Sequence, residues 1–584
     1  DVVTSSDNSA LFDNQGATPN LASPGADRYR ITLEIATRDE IDSDENYIEI
    51  AQIVQGVVTS QVTAIDSYNE IDNVMARRTK EESGDYIVKP FELLFETNDS
   101  DNTKVDFILS PGVAYVDGYR VSRTGETIIT VPKPRTISAE NNQVVAANYG
   151  SYIIVSAANK GIPNINEFQI MNLRSAVTHG GSTIGTARVR HVQEDGANYR
   201  LYLFDIAMNA NQNFADVKSI GSSATDFWNL ILEINKAVLK DAASSSLLFD
   251  LPTTRPQSIS DISLTVQRRF STSVDSSGVT DVSLTATGQN FLNKDTWIMG
   301  PANNVIDSAT TITISGDLST ASITGATPNA NPYEIIAYVN KSAGIVRSKT
   351  LTSQTQTFTT ATQADSNGSG TITGFTLDNP DIFSFDIIKA VDSAGDDISA
   401  IFENDNGQRD DFYDLGRLKL ISGNTPPASV YVKYKHFAHG ASGDFFGVNS
   451  YTGQVEYENI PNFTKADGQV INLRNVLDFR PVVNAAGTFG SGAIINELPR
   501  PTDLITFDVN YYQGQSAKVV IDINSAIRVV RGEADVEPKL PKSPENAMDL
   551  FNVTMNPYVI DDNDINSKML TYKRFTMADI GRLE

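Results

Sequence analysis

The sequence contains no cysteine, and several other features that often indicate function are also scarce. Without cysteine the chain has no disulfide, no thiolate zinc site and no cysteine nucleophile. It has only 4 histidines and 2 tryptophans in 584 residues. The sequence has no run of about 18 apolar residues, so we expect no membrane insertion. These absences exclude thiol-based enzymes and disulfide-stabilised scaffolds.

Positive charge is also scarce relative to negative charge. The chain carries 46 lysines and arginines against 72 aspartates and glutamates, a formal net charge of −26. Because such a surface repels phosphate backbones, we expect no nucleic-acid partner. The sequence also has no phosphate-binding loop, dinucleotide fingerprint, nucleophile elbow or His-Glu-x-x-His motif. We therefore predict no enzyme activity, no cofactor, and no catalytic, cofactor-binding or metal-binding residues.

The length exceeds what one hydrophobic core can organise, so several domains are expected. Short alternating strands and turn pairs predict a mainly β, multidomain fold of small β-sandwich or barrel domains with a few short helices. The predicted divisions are an extended N-terminal arm at 1–27, an α+β domain at 28–136, a β-rich domain at 137–256, an immunoglobulin-like β-sandwich at 257–350, a second small β domain at 351–440, a further β domain at 441–560, and a junction with the start of a helix at 561–584.

A helix is predicted at 69–82, where the sequence is charged and free of glycine and proline. Ile71, Val74 and Met75 recur there at helical spacing. The basic cluster at 77–80 is followed directly by two glutamates. We interpret it as a solvated helix face in preference to an anion site.

Three further local predictions concern a turn, a core residue and a second helix. Asp117-Gly118 lies between two alternating strands and predicts a tight hairpin turn. Trp297 is predicted to fill the core of the sandwich. The apolar spacing at 227–239 favours a helix.

The last residues of the sequence also predict a helix. Thr576 is a plausible N-cap, and Asp579 lies three residues later, which approximates a capping box. Met577, Ile580 and Leu583 follow at three-residue spacing. We expect this helix to continue beyond the printed chain.

The histidines offer one candidate metal site. His436 and His439 are three residues apart, and Asp444 is near. In an extended stretch this spacing does not place both imidazoles on one face. Ordinary polar packing is therefore the favoured interpretation, and a metal site is the alternative.

The carboxylates offer three further candidates. One cluster comprises Asp410, Asp411 and Asp414, and a second lies at 561–564. A solvated loop or a capping role is favoured for both, with a cation site or a glycosidase pair as alternatives. The run at 478–481 is interpreted as an Asp–Arg structural contact at a strand end, in preference to a catalytic pair.

Several of these stretches resemble a family of tailed-bacteriophage virion proteins. The residues that carry the resemblance are Gly-Gln-Arg-Asp-Asp-Phe-Tyr at 407–413, Phe-Ala-His-Gly at 437–440, Asn-Ser-Tyr at 449–451, Ile-Pro at 460–461, Leu-Arg-Asn-Val-Leu-Asp-Phe-Arg-Pro at 473–481, Lys-Arg-Phe-Thr-Met-Ala-Asp-Ile-Gly-Arg-Leu-Glu at 573–584, and the segment 45–95 with Met-Ala-Arg-Arg-Thr-Lys-Glu-Glu-Ser-Gly-Asp-Tyr at 75–86. The family comprises baseplate or tail-fibre proteins of contractile-tailed, myovirus-type phages that share a domain of unknown function.

The resemblance implies a non-enzymatic structural component of the virion, in the baseplate or at a tail-fibre attachment. It implies assembly in the host bacterial cytoplasm, with other tail or baseplate subunits as partners and a homo-oligomer, a trimer being favoured. The resemblance is weak over roughly 137–400, which we interpret as insertions, and we expect the first and last segments to fold together around them. The alternative is a host-surface glycan-binding or glycan-degrading tail protein that uses the inserted β domains.

Overall fold

The computed structural model describes residues 69–572, apart from 157–160, 178–180, 223–226, 242–245, 303–305 and 309. Before residue 69 it describes Thr37 and four short strands: β1 (Val2–Val3), β2 (Arg28–Tyr29), β3 (Ala51–Val54) and β4 (Val57–Gln61). Strand β1 pairs with β2, and β3 pairs with β4. Most of the predicted arm at 1–27 and the predicted helix after Thr576 lie outside the described residues.

The first continuous part begins with helix α1 (Asn69–Ser83), which confirms the predicted helix. Six strands follow: β5 (Tyr86–Lys89), β6 (Leu93–Thr97), β7 (Lys104–Leu109), β8 (Gly112–Val116), β9 (Tyr119–Arg123) and β10 (Thr127–Pro132). They form two three-stranded sheets in the orders β5-β8-β9 and β10-β7-β6. Arg78 pairs with Glu82 on the exposed helix surface, as the solvated-face interpretation expects.

The predicted hairpin turn is present between β8 and β9. Asp117 and Gly118 have φ angles of 52° and 83°, which are the left-handed conformations that a two-residue type I′ turn requires. The turn also supports α1, because a Cβ on Gly118 would lie 1.8 Å from the carbonyl oxygen of Ala76. Glycine is therefore required here both for the turn and for helix docking.

We expect Gly118→Ala to destabilise the docking of α1 by about 1–3 kcal/mol, because both strain and a backbone clash are introduced. The measurement is amide hydrogen exchange of α1, followed by mass spectrometry. Gly196→Ala is the matched control, because Gly196 also has a positive φ of 65° but no atom within 4 Å of the added Cβ. Equal exchange of α1 in both variants would contradict the prediction.

The second part carries a long sheet of its own. Its strands are β11 (Ile137–Ala146), β12 (Tyr152–Ser156), β13 (Ile170–Arg174), β14 (Thr183–Asp195), β15 (Asn198–Met208), β16 (Ser219–Gly221), β17 (Phe227–Asn229) and β18 (Leu248–Asp250). Six of them form a sheet in the order β12-β15-β14-β13-β16-β17. Its apolar face forms a separate hydrophobic cluster.

The prediction of a helix at 227–239 is wrong. The stretch instead supplies β17, which pairs with β16, and then isolated β-bridges around one turn, in which Ile234 and Asn235 take left-handed φ angles. Trp228 and Leu230 are both buried, as alternate residues on one face of an extended chain are. Burial of the tryptophan against the sheet therefore overrides the weak helical spacing.

The third part contains two facing sheets. Its strands are β19 (Pro256–Thr272), β20 (Val279–Ser283), β21 (Gln289–Leu292), β22 (Ile298–Pro301), β23 (Thr311–Ile314), β24 (Thr320–Thr324) and β25 (Tyr333–Gly344). Strand β25 pairs with β19, β21 and β22, while β20, β24 and β23 form the other sheet. Trp297 is buried against Phe291 in this core, as predicted.

The fourth part has its own core around Phe375, Leu418 and Val432. Its elements are β26 (Lys349–Thr359), α2 (Thr360–Gln363), β27 (Asp365–Ser366), β28 (Ile372–Pro380), β29 (Ile382–Ala390), β30 (Phe402–Asp405), β31 (Leu415–Leu420) and β32 (Ser429–His439). They form two sheets in the orders β26-β32-β29 and β27-β28-β31-β30.

The last part alternates buried irregular segments with strands. The strands are β33 (Asn462–Thr464), β34 (Val470–Asn472), β35 (Val476–Asp478), β36 (Leu504–Tyr512), β37 (Gly514–Asp522), β38 (Ile527–Asp535), β39 (Ala547–Met555) and β40 (Ile565–Met569). The final four form a sheet in the order β38-β37-β39-β40. Strands make up 52% of the part of the chain that the structure describes, so the mainly β, multidomain prediction is confirmed.

Distant parts of the chain are joined by shared sheets and cores. One sheet has the order β11-β36-β19-β25-β21 and therefore crosses the predicted divisions at 137–256, 257–350 and 441–560. A single hydrophobic cluster contains strands β6 to β10 of the first part together with β37, β39 and β40 of the last. The expectation that the first and last segments fold together is thus confirmed.

Candidate functional site

The most concentrated polar chemistry lies in a solvent-excluded network between the fourth and fifth parts. Lys349 opens β26, and Asp381 lies between β28 and β29. The Lys349 Nζ is 2.7 Å from the Asp381 Oδ2, with side chains 0% and 1% exposed. The same ammonium donates to the hydroxyls of Tyr413 and Tyr451, each at 3.0 Å. All three ammonium hydrogens therefore have a partner.

A second ion pair lies on the other side of Tyr413. The Arg480 guanidinium contacts both carboxylate oxygens of Asp478, with Nη2 to Oδ2 at 2.8 Å and Nε to Oδ1 at 3.0 Å. Arg480 Nη2 donates to the Tyr413 hydroxyl at 2.9 Å, and that hydroxyl donates to Asp478 at 2.5 Å. The predicted Asp–Arg structural contact is confirmed. We call Lys349, Asp381, Tyr413, Asp478 and Arg480 the Tyr413 network.

Neighbouring side chains complete the hydrogen bonding of Asp381. Gln408 Nε2 donates to its Oδ1 at 2.9 Å, and His439 Nε2 lies 2.9 Å from its Oδ2. His436 is on the same strand, three residues away, and such positions point to opposite faces. The two imidazoles therefore do not converge, and polar packing accounts for His439.

The charges of the network stabilise one another. Burial is the largest single influence on Lys349 and opposes its charge, but Asp381 together with Tyr413, Tyr451 and Asp478 outweighs burial and holds the pKa of Lys349 well above its usual value. Burial likewise disfavours the Asp381 carboxylate, yet Lys349 and His439 hold the pKa of Asp381 below its usual range. Burial is the main reason that the pKa of Tyr413 rises. The network thus holds two cations and two anions around a protonated phenol.

The two acidic clusters are held by arginines and backbone amides. The Asp411 carboxylate lies 2.9 Å from Nη1 of the buried Arg190, so the solvated-loop interpretation is wrong for this residue. Asp414 accepts from its neighbouring Leu415 amide, in agreement with a capping role. Asp564 pairs with Arg255 through both of its oxygens, each at 3.0 Å. Asp411 is drawn out of the solvent because Arg190 is buried, and a buried guanidinium without a counter-ion is costly.

Asp561 in the second cluster caps a short 3₁₀ helix by accepting from the Asn563 amide at 3.0 Å, which confirms the capping interpretation. Across the described ranges, no group of three or more His, Cys, Asp or Glu side chains is placed to hold a metal ion. In the same ranges no helix is long and apolar enough to cross a membrane.

A polar groove that solvent can enter lies on the described surface, away from the Tyr413 network. A groove of about 500 Å³ opens on the β27-β28-β31-β30 sheet, lined in part by Asp365, Arg417 and Lys419. Sequence reasoning did not identify these residues, nor Lys349 and Asp381. No local pattern marks them, because their grouping depends on which strands pair.

Comparison with known proteins gives one partial match. Residues 1–191 match a family model described as "Domain of unknown function (DUF4815)". Neither curated proteins nor solved structures give a match. The first third of the chain is thus similar to a domain whose description assigns no activity.

Proposed function

We propose that this protein is a non-enzymatic structural component of a bacteriophage tail, in the baseplate or at a fibre attachment, that works through protein–protein interfaces. The strongest support is that several of the motifs that resemble the phage family meet at one place in the structure. Gln408 and Tyr413 come from the motif at 407–413, His439 from that at 437–440, Tyr451 from that at 449–451 and Arg480 from that at 473–481. All belong to or contact the Tyr413 network.

A network of this kind suits a structural role. Arg480 and the Lys349 side chain are 0% exposed, so a substrate has no access to their charges. The hydrogen bonds join β26, the 381 turn, the 408–413 loop and the segment 478–480 at the end of β35, which fixes four segments relative to one another. The network would then maintain a rigid body, whose outer surface makes the contacts with neighbouring tail subunits.

The test is the location of the protein in intact particles. We expect an antibody against residues 351–440 to label the tail end of purified virions of the encoding phage. We also expect the chain in the mass spectrum of isolated tails at a fixed ratio to the tail-tube protein. An antibody against the major capsid protein, which labels the head, is the control. A chain found in infected cells but absent from washed virions would refute the proposal.

The groove beside Lys419 supports a second candidate, a host-surface glycan-binding or glycan-degrading tail protein. Its opposite charges and its Ser and Thr hydroxyls are the polar groups that saccharides engage. The full chain is tested on a glycan array and in a reducing-sugar assay, with Arg417→Ala as the matched variant. Binding or cleavage that this variant loses would favour the glycan function. If the full chain is inactive in both assays, the glycan function is excluded and only the structural proposal remains.

A further inference from the structure

The sheet β26-β32-β29 has two unlike edges. Strand β29 is bulged at two places along its pairing with β32, and it carries Asp386 and Lys389. Bulges and charged side chains are features by which natural proteins stop a sheet edge from pairing with another chain. Strand β26 has neither, because its 11 residues pair with β32 in one unbroken register and no charged residue follows Lys349 in the strand. The β26 edge is therefore unprotected.

The amides along β26 point alternately toward β32 and away from it. Two side chains outside the sheet show which amides point away. Gln454 accepts from the Leu351 amide at 3.0 Å, and Gln363 accepts from the Thr359 amide at 2.8 Å. The odd-numbered residues of the strand therefore direct their amides and carbonyls outward, and the two glutamines close this edge at either end.

The middle of the edge is open. In the described part of the chain, no hydrogen bond is made to the outward amides and carbonyl oxygens of Ser353, Thr355 and Thr357. We call residues 353–357 the open window. Ser353, Gln354 and Thr355 are all exposed, although successive residues of a strand point to opposite faces. Both faces of the strand are thus uncovered at the window, and a strand from outside has room to extend the sheet.

The chemistry of the open window fits a second copy of the same chain. The window is uncharged, although the chain as a whole carries a net charge of −26, so two copies repel each other least along this edge. In an antiparallel pair about a two-fold axis at Thr355, Ser353 lies opposite Thr357, and Thr355 lies opposite its own copy. On the other face Gln354 lies opposite Gln356. Cross-strand pairs of hydroxyl residues stabilise a sheet, so the edge is complementary to itself.

We propose that two copies of this chain pair through β26, antiparallel about a two-fold axis at Thr355, so that their two sheets become one continuous sheet. The outward amides and carbonyls of both open windows then all have partners. Gln363 and Gln454 end the pairing on either side, which limits it to the window and makes the contact small and reversible. This inference is independent of where the protein acts.

The absence of cysteine permits a direct test in the full chain. The pairing places the two Thr355 Cα atoms about 5.5 Å apart, within the range that a disulfide spans. We expect Thr355→Cys, oxidised with diamide at tens of micromolar chain, to form a disulfide-linked dimer in most molecules. Thr350→Cys is the matched control, because Thr350 is exposed on the same strand but lies roughly 34 Å from its copy in this register. Equal linking of both variants, or linking of neither, would overturn the proposal.

A second measurement does not depend on cross-linking. Thr355→Pro removes the outward amide but no hydrogen bond to β32, and an edge strand tolerates such a proline. We expect the wild type to sediment at twice the mass of this variant at the same concentration. Thr355→Val keeps the amide, so it should sediment as the wild type does. Equal masses for the wild type and Thr355→Pro would show that the strand edge does not join two copies.

Amide hydrogen exchange distinguishes a second copy from cover by another segment of the same chain. Raising the chain concentration through the range of the dimer should slow the exchange of the 353, 355 and 357 amides by roughly tenfold. The amides of Thr352 and Gln354, which point toward β32, should change little. Protection of the open window that does not depend on concentration would assign it to the chain itself and overturn the proposal.

Discussion

Replacing Arg480 by methionine is expected to cost about 3–5 kcal/mol of local stability, because it leaves the Asp478 carboxylate buried without a counter-ion. Arg480 is 0% exposed and also donates to the Arg409 carbonyl oxygen at 2.9 Å and to the Tyr413 hydroxyl. The loss is measured by amide hydrogen exchange at Tyr413 and Asp478. Their amides bond to backbone carbonyls on either side of the network and report its opening.

Two variants serve as controls for this experiment. Arg78→Met removes the same charge from an exposed ion pair on α1, so no measurable change is expected there. Asp478→Asn combined with Arg480→Met removes both charges and should recover part of the lost stability, because no isolated buried charge remains. A loss in Arg480→Met of less than about 1 kcal/mol would mean that the network does not hold the segments together.

The second large effect is a loss of stability in mild acid. Burial lowers the pKa of His191, His436 and His439, against the weaker opposing effect of Asp381 on the last two. Below about pH 6.5 the unfolded chain takes up protons at these histidines while the folded chain does not. The free energy of unfolding therefore falls with falling pH, by about 1.4 kcal/mol per pH unit for each histidine that stays neutral in the folded state.

Urea unfolding between pH 7.5 and 4.5 measures this slope. His191→Phe is the informative variant, because the ring of His191 is fully buried and packs edge-on against Tyr202 at 5.5 Å, where a phenyl ring fits. Below pH 6.5 we expect the variant to take up about one proton fewer on unfolding than the wild type. Its free energy of unfolding therefore falls less steeply with falling pH. A slope that is flat down to pH 5 in the wild type would show that the buried histidines do not control acid stability.

Local sequence patterns predicted the elements whose structure is decided locally. The turn at Asp117-Gly118 follows from a backbone preference of two residues, and α1 follows from helical spacing without a breaker. The ion pair between Asp478 and Arg480 joins residues only two positions apart, so it too was within reach of sequence reasoning. Each of these depends on interactions between near neighbours in the chain.

The remaining parts of the site depend on distant pairings. Lys349 meets Asp381 across 32 positions, and Tyr413 meets Asp478 across 65. Nothing in the sequence near Lys349 distinguishes it from a surface lysine, because its burial results from the pairing of β26 with β32. The helix wrongly predicted at 227–239 shows the converse, since burial of Trp228 against a sheet outweighed a local preference.

The core shared by the first and last parts has a consequence for biosynthesis. Strands β6 to β10 leave the ribosome well before the residues that cover them, such as Val519 and Val553, are translated. At 5–20 residues per second the early strands wait roughly 20–80 s for their partners. During that time their apolar faces are open to other nascent chains on the same messenger. Synthesis on polysomes therefore favours either chaperone capture of the first part or early contact between neighbouring copies.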